Sequence, residues 1–138
     1  MDIRKLQEEE LKMAADMTRQ LFEDEASNKK LSAEAFEERL HNYLQTGCEA
    51  FLFCEDDRVV GYALVNLART PYYLIDFFIA RDARRGGKGT SAFNALLHKL
   101  ETETMDLDVF CWNDRGRAFW KSLGFEEMAV IMRKQSDR

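Results

Sequence analysis

The run Arg84-Arg85-Gly86-Gly87-Lys88-Gly89-Thr90 places three basic side chains and three glycines in seven consecutive positions. Glycine has no Cβ and reaches the left-handed backbone region, so such a loop lets main-chain N–H groups approach an anion closely. Residues 90–103 continue with Ala92, Phe93, Leu96, Leu97 and Leu100 at helical spacing. A helix starting there aims its unpaired N–H groups and the positive end of its dipole at the same point. This pattern predicts a phosphate-binding loop; read as structure alone, it is a solvated turn leading into a helix. A nucleoside-triphosphate loop is disfavoured because Lys88 is followed by Gly89 rather than Ser or Thr, and residues 87–92 meet the dinucleotide fingerprint only in its Ala-ended form.

Asp76 is the second residue with chemical potential, since it interrupts the otherwise apolar run at 72–80. A carboxylate there either meets a cationic group of a ligand or pairs with an arginine as part of the fold. The three cysteines, Cys48, Cys54 and Cys111, form no Cys-x-x-Cys pair and have only His41 and His98 as companions, so no metal site is expected. They read as reduced thiols packed like small apolar groups, Cys111 within a strand.

The elements that must hold these residues follow from hydrophobic period. Strands are expected at 3–6, 50–54, 59–67, 72–80, 106–112 and 125–133, with a tight acidic turn at 55–58 and a bulge at Gly61. Helices are expected at 8–25, from an N-cap at Ser32 to Gly47, at 90–103, and from a cap at Asn113 or Asp114 to Gly124. The expected fold is a single α/β (α+β) domain over residues 1–138, a mostly antiparallel twisted sheet of six or seven strands with about four flanking helices. Twenty Lys and Arg against 25 Asp and Glu give a net charge of −5, the wrong sign for a nucleic-acid partner. Apolar runs such as 59–65 fall far short of the ~20 residues that cross a bilayer, so no membrane partner is expected. The amino terminus has no signal-like apolar region, which points to the cytoplasm.

Arg84-x-x-Gly87-x-Gly89 after a strand, followed by Asn113 and then Ala118-Phe119-Trp120-Lys121-Ser122-Leu123-Gly124-Phe125, resembles the GNAT superfamily of acyl-CoA-dependent N-acetyltransferases. The resemblance implies acetyl-CoA as cosubstrate, with no metal. Backbone groups of Phe77, Phe78 and Ile79 would pair with the pantetheine arm, and N–H groups of Arg85, Gly86, Gly87, Lys88, Gly89 and Thr90 would hold the pyrophosphate, with Arg84 opening the motif. The acyl-CoA would lie in a splay between the strands ending at Ala80 and Trp112. Asn113 would stand near the cofactor and Phe119 would line its channel. Trp120 occupies the position where the family commonly has a tyrosine that protonates the departing thiolate. An indole is too weak an acid for that. This leaves Cys111, Tyr73 or water as the acid, or a chain that binds acyl-CoA without turnover.

Asp76-Phe77-Phe78-Ile79 and Trp112-Asn113 are similar to the diamine and polyamine N-acetyltransferases. That closer resemblance implies direct acetyl transfer to a primary amine of a small cationic molecule, with Asp76 as base or amine contact; Ile75 replaces a glutamate common in those enzymes. Phe22-Glu23-Asp24-Glu25 with Glu34, Glu37 and Glu38 would attract a polycation, or simply form a solvated helix face. Two alternatives stand beside this reading: a non-catalytic acyl-CoA sensor, and an acetyltransferase of protein N-termini or lysines. The oligomeric state is open, a homodimer included.

Overall fold

Asp56 and Asp57 take positive φ values of 50° and 62°, the left-handed pair that a two-residue hairpin turn requires if its twist is to match that of the flanking strands. They join β2 (Cys48–Glu55) to β3 (Arg58–Asn66) in the computed structural model, which describes residues 1–27 and 29–136. With β1 (Asp2–Lys5) and β4 (Tyr73–Ile79) these strands form an antiparallel sheet in the order β1-β2-β3-β4. The helices are α1 (Leu11–Asp24), α2 (Ala33–Leu44), α3 (Lys88–Leu100) and α4 (Asp114–Ser122). Ser32 caps α2 by accepting a hydrogen bond from the Ala35 N–H, as its position predicts.

Ladder register divides the sheet into two faces, because side chains alternate along each strand. Leu52, Tyr62 and Phe78 share one row and Leu64 lies on the same face. There they pack with Ala14 and Met17 of α1 and Leu40 of α2. On the opposite face Phe53, Phe77 and Phe93 of α3 make edge-to-face contacts with centroids 5.6 and 6.2 Å apart. Gly61 sits at the expected bulge: Phe53 pairs with Gly61 and Cys54 with Val59, leaving Val60 unpaired. A Cβ at Gly61 would lie 2.4 Å from the Phe78 carbonyl oxygen, so only glycine lets β3 and β4 approach this closely.

Among the described residues the sheet has four strands, not six or seven. The stretch expected as a strand at 106–112 contributes a single parallel bridge, Tyr73 to Asp106, before the chain turns at Phe110, whose carbonyl accepts from the Asn113 N–H. Residues 125–133 belong to no strand, and Met128, Val130, Ile131 and Met132 are exposed. Alternating β-branched and apolar residues make a strand only where an edge accepts their main-chain hydrogen bonds. Among the described residues, no helix is long and apolar enough to cross a membrane.

The chain divides into two compact units, Met1–Asp108 and Val109–Arg138. The first holds the sheet with α1, α2 and α3. In the second, Asn113 caps α4 by accepting from the Gly116 N–H at 3.0 Å, and Trp120 packs against Phe119 and Phe125 with centroids 4.7 and 5.3 Å away. The splay expected between two strand ends loses one of its two walls as a strand, since Trp112 lies in a turn.

Candidate functional site

Past the end of β4, residues Arg81–Ala83 make one 3-10 turn. Arg85, Gly86 and Gly87 then follow with φ of 101°, 65° and 75°. Three successive positive φ values curl the main chain into a concave turn, and α3 begins at Lys88, earlier than residue 90 as periodicity predicts. Lys88, Gly89 and Thr90 therefore lie in the first helical turn, where N–H groups have no intrahelical acceptor. A Cβ built on Gly86 or Gly87 would meet nothing within 4 Å, so the space before these residues is open. The geometry suits an anion held by main-chain donors.

Two of the loop's basic side chains, Arg84 and Lys88, are engaged with carboxylates. Arg84 donates from Nε to the Ile79 carbonyl at 2.8 Å, lies over the Phe78 ring and pairs with Asp24 of α1. Lys88 Nζ pairs with Glu55 at 2.8 Å. A cleft of about 360 Å³ beside the loop is lined by Glu55, Arg58, Asp82, Arg84, Arg85 and Lys88.

The other half of β4 carries the second cluster. Leu64 pairs with Asp76 but Val65 with Leu74, so Ile75 is a bulge. The extra residue reverses the alternation and puts Tyr73 on the same face as Asp76, toward α1 and α2. Asp76 is only 3% exposed. Its oxygens accept from Arg39 Nη1 and Nη2 at 2.8 and 3.1 Å and from the Tyr62 hydroxyl at 3.0 Å. Arg39 reaches down from α2, its guanidinium 5.1 Å from the ring centroids of both Phe22 and Tyr43. The reading of Asp76 as a strand carboxylate paired with an arginine thus has its partner in Arg39, and the same carboxylate lies under the acidic end of α1. Burial and the charge of Asp76 push the Tyr62 hydroxyl well above the usual tyrosine range, so it stays a donor.

Glu25, in the turn that ends α1, belongs to this cluster. Burial pushes its carboxyl up to about 7, and the charges of Asp76, Asp108 and Asp24 add to the shift while Arg39 opposes it. The Tyr73 hydroxyl donates to Asp108, and burial together with that bond raises its pKa. Sequence reasoning placed Glu25 only within an acidic run. Nothing in residue type separates it from Glu23 and Asp24; burial does.

The remaining expected site residues are distributed as follows. Phe77 faces α3, Phe78 is buried under α1 and α2, and Ile79 ends β4. In the second unit Asn113 is an N-cap, and Phe119 and Trp120 form the aromatic cluster described above. Cys111, expected as a packed strand residue, is exposed in a turn, with its carbonyl accepting from Arg117. The strand was cut short before reaching it.

No curated protein matches this chain. Several solved structures share its fold. They include a possible acetyltransferase from Clostridium difficile, 19% identical with a TM-score of 0.77 over 99% of this chain and 97% of that one. A predicted acetyltransferase from Clostridium acetobutylicum, solved with acetyl-CoA, is 12% identical with a TM-score of 0.73 over 97% and 95%. An aminoglycoside 6'-N-acetyltransferase from Acinetobacter haemolyticus is 19% identical with a TM-score of 0.71 over 99% and 100%. The model of the acetyltransferase (GNAT) family matches residues 15–125, a span that includes the glycine loop, the acidic face and the aromatic helix. With the loop geometry and the motif spacing in agreement over this length, the chain belongs to the acetyltransferase (GNAT) family.

Proposed function

We propose that this protein transfers an acetyl group from acetyl-CoA to a primary amine of a small polycationic molecule, a diamine, polyamine or aminoglycoside. The observation that carries the acceptor class is the acidic cluster beside the end of α1, made by buried Asp76, half-buried Glu25 and exposed Asp108. A protonated amine finds compensating charge there, and a carboxyl that titrates near 7 accepts its proton at working pH.

The residues suit the cosubstrate. The positive-φ turn at Arg85, Gly86 and Gly87 and the first turn of α3 offer main-chain donors to a pyrophosphate. β4 is the last strand of the sheet, so the main chain at Phe77, Phe78 and Ile79 is available for strand-like pairing with an extended arm. Acetyl-CoA supplies an activated thioester acyl group when bound. Glu25 takes the proton that frees the amine lone pair, Asp76 is the fixed negative charge in contact with the amine's field, and Arg39 holds Asp76 in place. Asn113, Phe119 and Trp120 are kept as cofactor-side residues on the strength of the family pattern, and the family match across both units supports treating the chain as one domain. Three unpaired thiols agree with a reducing cytoplasmic setting.

Trp120 favours one rival reading. Its indole is packed between two aromatic rings, a structural role consistent with acyl-CoA binding without turnover. Coenzyme A release measured across a panel of polyamines, aminoglycosides, monoamines and peptides separates the two. Turnover is expected with the polycations; tight acetyl-CoA binding with no turnover on any amine refutes the enzyme reading.

A further inference from the structure

The last turn of α1 is tied to the chain that leads from β4 into the glycine loop. Asp24 Oδ1 accepts from Arg81 Nη2 at 2.9 Å and from Nε at 3.2 Å, its other oxygen pairs with Arg84, and Glu23 accepts from Arg81 Nη2 at 3.3 Å. Arg84 is held at its other end too, through Nε on the Ile79 carbonyl. Its guanidinium is therefore a strut from the end of β4 to the end of α1. Burial alone would raise the Asp24 carboxyl, yet Arg84 and Arg81 hold it below the usual range, so Asp24 is a charged partner at working pH. Glu25 is the next residue, its N–H bonded to the Leu21 carbonyl at 2.9 Å, with Ala26 and Ser27 N–H groups bonded to Glu23 and Phe22. Whatever orders Asp24 orders the backbone of Glu25.

We propose that Asp24 is a positioning residue that couples occupancy of the glycine loop to the placement of Glu25. The inference rests on the functional reading above, in which the loop takes the cosubstrate and Glu25 faces the amine. An anion seated on the loop fixes the backbone of residues 84–88, and the Arg84 strut passes that order to the end of α1. The ordering cost of this turn is then met before the amine arrives, so the amine binds more tightly to the loaded protein.

Coenzyme A and spermidine are the probes, used on the full chain and on Asp24→Asn, Asp24→Glu and Arg81→Gln. Coenzyme A is expected to slow hydrogen exchange at the Glu25, Ala26 and Ser27 amides, and to tighten calorimetric spermidine binding, by about fivefold or more. Asp24→Asn loses both effects while still binding coenzyme A, Asp24→Glu retains part of them, and Arg81→Gln weakens them. Equal protection in wild type and Asp24→Asn, or none in wild type with coenzyme A bound, overturns the proposal. If coenzyme A does not bind, the loop assignment and this inference both fall. If exchange slows but spermidine does not bind, the coupling stands and the polyamine acceptor is refuted.

Discussion

Glu25 holds its proton up to about pH 7 because burial and neighbouring carboxylates disfavour the charged form. As the base for acetyl transfer it predicts an acid limb near pH 7 in kcat/KM, and Glu25→Gln should abolish that limb and lower kcat by roughly 10²- to 10⁴-fold. The folded carboxyl binds a proton more tightly than the unfolded one, whose pKa is about 4.3. This site therefore adds stability below that value and loses it as pH rises through 7. Glu25→Gln should match wild type in urea midpoint at pH 4 and exceed it at pH 8. Asp76→Asn removes one negative neighbour and strands Arg39. It should move the acid limb to lower pH and cost on the order of 3 kcal/mol in denaturation experiments, as breaking a buried pair from one side does. Asp76 was legible in the sequence as the one carboxylate in an apolar run. Its partner Arg39 was not, because 37 residues separate them and only the packing of α2 on the sheet brings them together.

The glycine loop illustrates what an element can show before its structure is known. Strand, glycines and helix appear in order in the sequence, and the structure has them in that order, with α3 beginning inside the motif. The conformation of Arg85 was hidden: a φ of 101° is disfavoured for a residue with a Cβ and costs on the order of 1–3 kcal/mol. Arg85→Gly should raise thermal stability while weakening coenzyme A binding, a trade measurable by melting and calorimetry on one variant. Gly61 was legible as a bulge, but the reason it must be glycine lies in the neighbouring strand. Gly61→Ala drives a methyl into the Phe78 carbonyl and should destabilise by about 1–3 kcal/mol in urea titrations. The strands at 106–112 and 125–133 failed for a matching reason: alternation records which residues prefer a sheet, not whether an edge is present to receive them.

Across the whole chain, a net charge of −5 argues against nucleic acid as the main partner but describes neither local surface. Arg84 and Lys88 at the glycine loop are paired with Asp24 and Glu55, whereas Asp76 and Asp108 both act on Glu25, with Arg39 opposing them. The surplus negative charge on the acceptor side should steer polycations. Raising ionic strength from about 0.01 to about 0.15 M shortens screening from roughly 30 to 8 Å, so kcat/KM for a polyamine should fall several-fold more than for a monoamine. Equal salt sensitivity for both would remove steering from the account.

The bulge at Ile75 has a consequence for how such a protein can change. It separates β4 into two stretches whose alternation is set independently: residues 77–79 lead into the glycine loop, and residues 73–74 present Tyr73 to the acidic face. Under the proposed function, substitutions in the earlier stretch would reshape the wall that meets the amine without rotating the later one. A single inserted residue thus lets acceptor preference diversify while the machinery for the shared acyl donor stays in register.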